Sequence, residues 1–119
     1  MSIKPEFANK IFEGTKLFEF RRTIFKNTDI KKVVVYASSP VQKVIGEFEI
    51  DLIIKNNLEE LWNETREHSG ITRDYFFQYF SNKEEGFAIK IKNQRKYKQP
   101  KSLKDDYNLL PPQSFLYLS

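Results

Sequence analysis

Three ionisable side chains of both signs stand close together in the segment G-T-K-L-F-E-F-R, Gly14 to Arg21: Lys16, Glu19 and Arg21. Successive residues of a strand point to opposite faces, so Glu19 and Arg21 share one face while Phe18 and Phe20 take the other. At two residues apart, the carboxylate and the guanidinium can pair with each other or contact one ligand together. Lys16 falls where a helix end meets this strand, at the rim of the same face. Two cations beside one carboxylate keep it ionised and leave positive charge for a phosphate. A carboxylate also accepts from an exocyclic amine, as it does from cytosine. The competing reading is a structural ion-pair network that closes the mouth of the fold.

Other polar groups are candidates for the same cleft. Tyr36, Ser38 and Ser39 end a β-branched segment, where a phenol and two hydroxyls serve a nucleotide or satisfy a turn. Gln113 and Ser114 follow a proline pair, and the amide suits a base edge. From Lys90 to Lys104 there are seven basic residues and no acid. Tyr97 lies within that run, and basic residues around an aromatic suit single-stranded or looped RNA, where stacking adds about 1–3 kcal/mol per base. Lys90, Lys92, Arg95, Lys96 and Lys98 are therefore the predicted phosphate contacts, although alternation alone would put Lys90 and Lys92 on a solvent face. His68 is the single histidine and cysteine is absent. A conventional zinc site is not expected, nor is a cofactor. Next to Ser69-Gly70, His68 reads as a helix-end residue and not as a general base.

The elements that must hold these residues can be read from periodicity. Pro5 begins a helix in which Phe7, Ala8, Ile11 and Phe12 share a face, and Gly14 ends it in a left-handed conformation. Lys16 to Arg22 forms a strand. "KVVVYAS" is apolar on both faces, as a central strand would be. "QKVIGEFEIDLII" is a long strand with Val44, Gly46, Phe48 and Ile50 on one face, and Gly46 marks a bulge or a close backbone approach. Asn57 caps a helix with Glu60 three residues later, and Thr72 caps a second, "RDYFFQYF". The pair reads as a wall or lid of the cleft. Strand alternation returns in "GFAIKIK", a short strand is predicted around Tyr97, and "PPQSFLYL" closes the chain as a strand. The result is one small α+β unit over residues 1–119, with a curled sheet or barrel.

Composition excludes some classes of function. No apolar run is long enough to cross a bilayer, and the segment "MSIKPEF" has no secretory hydrophobic core, so a cytoplasmic location without membrane contact is expected. Charge is uneven along the chain. Residues 1–46 hold nine Lys/Arg against four acids, residues 47–85 four against ten, and residues 86–119 seven against two. Basic flanks around an acidic centre fit a basic face for a phosphate-bearing partner.

The blocks "IKPEFANKIFEGTKLFEFRR", "VVVYASSPVQKVIGEFEI", "FAIKI" and "PPQSFLYL", in this order, resemble the ASCH domain family, and in particular its branch of predicted transcriptional regulators. The most specific element is G-x-K-x-x-E-x-R, met as Gly14, Lys16, Glu19 and Arg21. This resemblance implies a PUA-like β-barrel of five to six strands with an N-terminal helix and a two-helix insertion. It also implies a cleft on one side of the barrel and the binding of RNA or of modified nucleotides. One ASCH branch hydrolyses N4-acetylcytidine with a Lys, a Thr and a Glu. Lys16 matches the lysine, but Glu19 stands at the threonine position and Ser69 near that of the acid, so this activity is not carried over. Binding of RNA, of another nucleic acid or of a modified nucleotide is the expected function, with a transcriptional or translational role. The expected cleft comprises Lys16, Glu19, Arg21, Tyr36, Ser38 and Gln113. The alternatives are an amidohydrolase- or ribonuclease-like enzyme using Lys16 and Glu19, and a protein-interaction module whose partner meets the acidic helices at Glu59, Glu60 and Glu64.

Overall fold

Local signals in the sequence set most element boundaries. The structure, a computed structural model, describes residues 1–27, 29–102 and 117–118. After a two-residue strand β1 (Ser2–Ile3), Pro5 opens helix α1 (Pro5–Glu13). Gly14, at φ 86°, ends the helix in the left-handed region that glycine adopts without a Cβ penalty. Strand β2 (Phe18–Arg21) follows, then β3 (Lys32–Ala37) and the long β4 (Lys43–Asn57). Asn57 caps α2 (Leu58–Thr65) by accepting from the Glu60 N–H at 3.0 Å. A 3-10 turn at Arg66–His68 leads to α3 (Arg73–Tyr79), where Thr72 accepts from the Tyr75 N–H at 3.1 Å. Strands β5 (Glu85–Lys101) and β6 (Tyr117–Leu118) complete the described elements.

The strands form one mixed sheet in the order β1-β3-β4-β5-β2, with β6 also on β3. Only β1 and β3 run parallel among the described pairs. The fold is α+β, as expected, and three departures have clear causes. The polar stretch around Tyr97 is not a separate strand, because it lies within β5, which pairs with β4 as far as Val44–Lys101. Strict alternation in β4 fails, since its register against β5 shifts at three places. Ile45 and Phe48 consequently both reach the main core. One of those shifts lies between Val44 and Gly46, and at Gly46 an added Cβ would lie 2.6 Å from the Arg95 carbonyl oxygen and against the Phe12 ring. The third departure is β1, which carries no periodicity signal and is held by its pairing with Tyr36 and Ala37 of β3.

Apolar burial is divided between the two sides of β2 and β5. Val33, Val35, Ile45, Phe48, Ile89 and Ile91 form a core with α1. Phe18, Phe20 and Ala88 instead pack against Leu61, Trp62, Phe76 and Phe80 of the helical region. Phe20 meets Phe76 edge-on at 5.2 Å and Phe80 at 6.3 Å. Phe18 and Phe20 therefore anchor the sheet to the helices. Glu19, paired in register with Ile89, lies on the side of the main core. A carboxylate is thus carried to the inner side of the sheet.

Candidate functional site

The strand that carries Glu19 inward also builds one wall of a cleft of about 200 Å³. Lys16, Glu19, Phe20 and Arg21 contribute from β2 and its approach, and Phe7 from α1. Ile71, Tyr75 and Tyr79 close the opposite side, with Ser2, Ile3 and Lys4 at the edge formed by the first residues. The three charged residues of the G-x-K-x-x-E-x-R element therefore do converge.

Lys16 is a correction to the sequence reading, being 1% exposed and not at a rim. Its Nζ donates to the Ser69 carbonyl at 2.6 Å and lies 4.0 Å from Glu19 Oε1. The same ammonium sits 4.9 Å from the centre of the Phe20 ring and 5.5 Å from that of Phe7. The reason for its burial is Gly70, which adopts φ +69° and lets the 69–71 backbone lie directly on the lysine stem. Ser69, which falls near the position of an acid in one ASCH branch, offers Lys16 a carbonyl and no carboxylate.

Burial shifts both members of this pair toward their neutral forms. It pushes Lys16 down to about 8, against the upward pull of Glu19, and Lys10 adds to the lowering. It pushes the Glu19 carboxyl up, although Lys16 and Arg21 oppose it and the backbone of Phe20 hydrogen-bonds to it. The two cations thus do not bring the Glu19 carboxyl below its ordinary range: at a 4.0 Å separation from Lys16, desolvation outweighs the attraction. Tyr79, whose hydroxyl donates to the Phe20 carbonyl at 3.1 Å, is raised chiefly by burial as well.

A stability signature follows with a definite sign. Native Lys16 loses its proton near pH 8, whereas the unfolded chain keeps it to about 10.5. Between these values the unfolded state binds more protons, so stability rises with pH. Seen from high pH, the gain is complete above about 10.5 and lost as pH falls through about 8. Its size is on the order of 3 kcal/mol. Urea titrations of wild type and Lys16→Met at several pH values between 8.5 and 11, above the range in which the buried Met1 amine contributes, should show this rising limb in the wild type alone. Equal pH profiles would show that Lys16 is not desolvated.

The remaining predicted residues lie elsewhere. Tyr36 is buried with Val34 and Val44 and against Tyr97, on the face of β3 opposite Val33 and Val35. It does not line the cleft, and strand alternation is the reason. Ser38 is half-buried in the turn after β3, where its N–H donates to the Ile3 carbonyl at 3.0 Å. It too is outside the cleft lining. Gln113 and Ser114 lie outside the described residues. In the basic run, Lys90 and Lys92 share the Asp51 carboxylate at 3.8 and 3.9 Å, and Arg95 contacts Glu47 at 3.2 Å. Lys96 and Lys98 are exposed. Acids of β4 thus neutralise part of a strip that the sequence presented as purely basic. Among the acidic residues of the helical region, Glu59 pairs with Arg73 at 2.9 Å, and Glu60 and Glu64 accept from Asn56.

Sequence reasoning missed the aromatic wall. Tyr75 and Tyr79 stand four residues apart and so share one face of α3, while Phe76 and Phe80 pack in the helical core. That spacing was readable, but the run of aromatics concealed which face would stay open. Phe7 meets Tyr75 edge-on at 5.1 Å across the cleft.

Comparison with known proteins agrees with this architecture. A family model described as "Domain of unknown function (DUF365)" matches residues 2–108. The chain is 34% identical over 119 residues to ATP synthase subunit alpha of Ureaplasma parvum serovar 3. It is 30% identical over 122 residues to the large ribosomal subunit protein uL22 of the same organism. Each alignment takes in 99% of this chain but only 15% and 38% of those proteins, so the chain spans well under half the length of either. An ASCH domain-containing ribonuclease from Zymomonas mobilis is 28% identical over 123 residues, covering 99% of this chain and 82% of that protein. A crystal structure of ASCH from Zymomonas mobilis superposes with a TM-score of 0.89 at 29% identity, over 100% of this chain and 85% of the other. A Tyr-to-Phe mutant of that protein gives 0.89 at 28% identity, over 100% and 88%. The sheet and helices described above are thus those of the ASCH structures, a compact α+β fold of the PUA-like barrel type.

Proposed function

For a chain that belongs to the family described as "Domain of unknown function (DUF365)" and is an ASCH domain by sequence and fold, we propose RNA binding, with one base held in the Lys16–Glu19–Arg21 cleft. The observation that carries this reading is the unspent hydrogen-bonding capacity of Lys16. An ammonium has three donors, and this one, buried, makes one short hydrogen bond among the described residues, to Ser69. Glu19 beside it accepts from an exocyclic amine when ionised and also donates when protonated. Phe7 and Tyr75 supply aromatic surface for a base. The volume of about 200 Å³ compares with roughly 30 Å³ per water in the liquid and about 300–1,000 Å³ for drug-sized ligands. It admits one ring system and leaves the sugar-phosphate chain outside, with Arg21 of the cleft lining as the cation offered to a phosphate. A modified nucleotide satisfies the same geometry.

Residues 1–119 act in this reading as one ASCH unit, in the cytoplasm, in a transcriptional or translational regulatory role. Fluorescence anisotropy with a labelled single-stranded RNA tests it. Affinity is expected to fall steeply as salt rises from 50 to 200 mM, because each neutralised phosphate contributes about −0.7 to the slope of log K against log salt. Salt-independent affinity, or no affinity for any RNA, would contradict it.

A ribonuclease-like reading is supported by one further observation, the similarity to a protein called an ASCH domain-containing ribonuclease. Neutral Lys16 or ionised Glu19 would take the proton from a ribose 2′-hydroxyl, whose oxygen attacks the adjacent phosphorus. Arg21 would neutralise the charge that develops, and the 5′-oxygen would leave with a proton from the protonated partner. Appearance of a 2′,3′-cyclic phosphate end on incubation with RNA distinguishes turnover from binding alone.

A further inference from the structure

We propose that a second depression, around Arg22, Lys55 and Lys83, is a phosphate subsite for the nucleotide next to the one in the cleft. This rests on the RNA-binding reading above and assigns the path that the backbone takes out of the cleft. Arg21 lines the cleft, and the next residue, Arg22, lines a neighbouring depression of about 330 Å³. Tyr79 joins the two: it lines the cleft while its carbonyl holds Arg22.

Arg22 is pre-oriented for an anion. Its Nη1 donates to the Tyr79 carbonyl at 2.8 Å and to the Ser81 carbonyl at 2.9 Å. Both contacts use one nitrogen, which leaves Nη2 and Nε to form the fork that matches two phosphate oxygens. Lys55 is held with its Nζ 5.8 Å from the centre of the Phe87 ring. Register fixes the geometry between the two sites. Arg21 pairs with Phe87, and Phe87 with Lys55, so the three occupy one row across β2, β5 and β4. Adjacent strands are about 4.8 Å apart, so the row spans about 10 Å, within reach of one nucleotide step. Glu84 and Glu85 also line the depression, so three cations face two carboxylates there. The site therefore suits one phosphodiester and not a dense polyanion.

Lys96 and Lys98 offer the competing route. The path along β5 from Phe87 to Lys96 is roughly 30 Å at ~3.4 Å per residue, several nucleotides away from the cleft. Binding of a single-stranded RNA pentanucleotide and of the corresponding free nucleoside separates the possibilities. The proteins compared are wild type, Lys55→Ala/Lys83→Ala, Lys92→Ala/Lys96→Ala/Lys98→Ala and Lys16→Met. The Lys55→Ala/Lys83→Ala protein should bind the pentanucleotide about tenfold more weakly, with a salt slope shallower by about 0.7. Its nucleoside binding, followed by NMR shifts at the cleft, should match wild type. Unchanged pentanucleotide affinity and slope in this variant would overturn the subsite, and so would equal weakening of nucleoside and pentanucleotide. Should only the triple variant lose affinity, the backbone runs along β5 instead. Failure of the underlying reading looks different: Lys16→Met would then bind both ligands like wild type.

Discussion

Lys16→Met is expected to lower affinity for single-stranded RNA at least tenfold at pH 7 while the protein remains folded. Methionine keeps an unbranched, polarizable stem beneath Gly70 and beside the Phe7 and Phe20 rings, so packing survives. What disappears is the ammonium: its bond to the Ser69 carbonyl, its attraction for Glu19 and its remaining donors. A hydrogen bond to a charged group contributes about 1.5–3 kcal/mol, which is roughly 10- to 150-fold in affinity. Stability should not suffer in proportion, because the variant no longer has to desolvate a cation. Without Lys16 to oppose burial, Glu19 moves further toward its neutral form. Anisotropy measurements beside urea titrations separate the two effects. Affinity within twofold of wild type would remove Lys16 from the binding site.

Gly70→Ala is expected to have the largest structural consequence. At φ +69° an alanine meets the left-handed penalty of about 1–2 kcal/mol. Its Cβ would also lie 2.6, 2.7 and 2.9 Å from Lys16 Cβ, Cγ and Cδ. Neither side yields easily. Lys16 Nζ holds the Ser69 carbonyl, Lys10 Nζ donates to the Gly70 carbonyl at 3.0 Å, and Ser69 Oγ donates to the Ile71 carbonyl at 3.0 Å. Displacing the loop breaks these contacts and moves Ile71, which lines the cleft. The total should approach about 3 kcal/mol, lowering Tm by on the order of 10 °C, with RNA binding lost alongside. Gly14→Ala is the internal comparison. Gly14 has φ +86° but nothing within 4 Å of an added Cβ, so only the conformational cost of about 1–2 kcal/mol applies. Calorimetry that ranks the two variants equally would show that the contact with Lys16 is not what makes Gly70 necessary.

Much of the framework was legible because its signals are local. Asn57, Thr72, Pro5 and Gly14 each act on backbone groups within a few residues, and each sits where capping and turn chemistry place it. Gly46 was legible as a close approach, but its partners were not, since Phe12 and Arg95 are distant in sequence. Convergence of Lys16, Glu19 and Arg21 followed from strand alternation and the family resemblance. The depth of Lys16 did not follow, because it depends on a loop more than fifty residues away folding onto its stem. Tyr36 illustrates the reverse case. Alternation shows that it opposes Val33 and Val35, yet no local rule says which side of β3 the cleft adjoins. The acids that temper the basic strip were likewise hidden. Asp51 and Glu47 meet Lys90, Lys92 and Arg95 only once β4 and β5 are paired.

A nucleobase is expected to enter the cleft and meet the buried Lys16–Glu19 pair. A crystal structure of the protein with a short single-stranded RNA tests it most directly. A base is expected in the cleft, packed against the Phe7–Tyr75 pair, its polar edge within hydrogen-bond distance of Glu19 or Lys16 Nζ, with a phosphate at Arg21. RNA bound only elsewhere on the surface, with the Lys16–Ser69 contact intact and no base in the cleft, would contradict it.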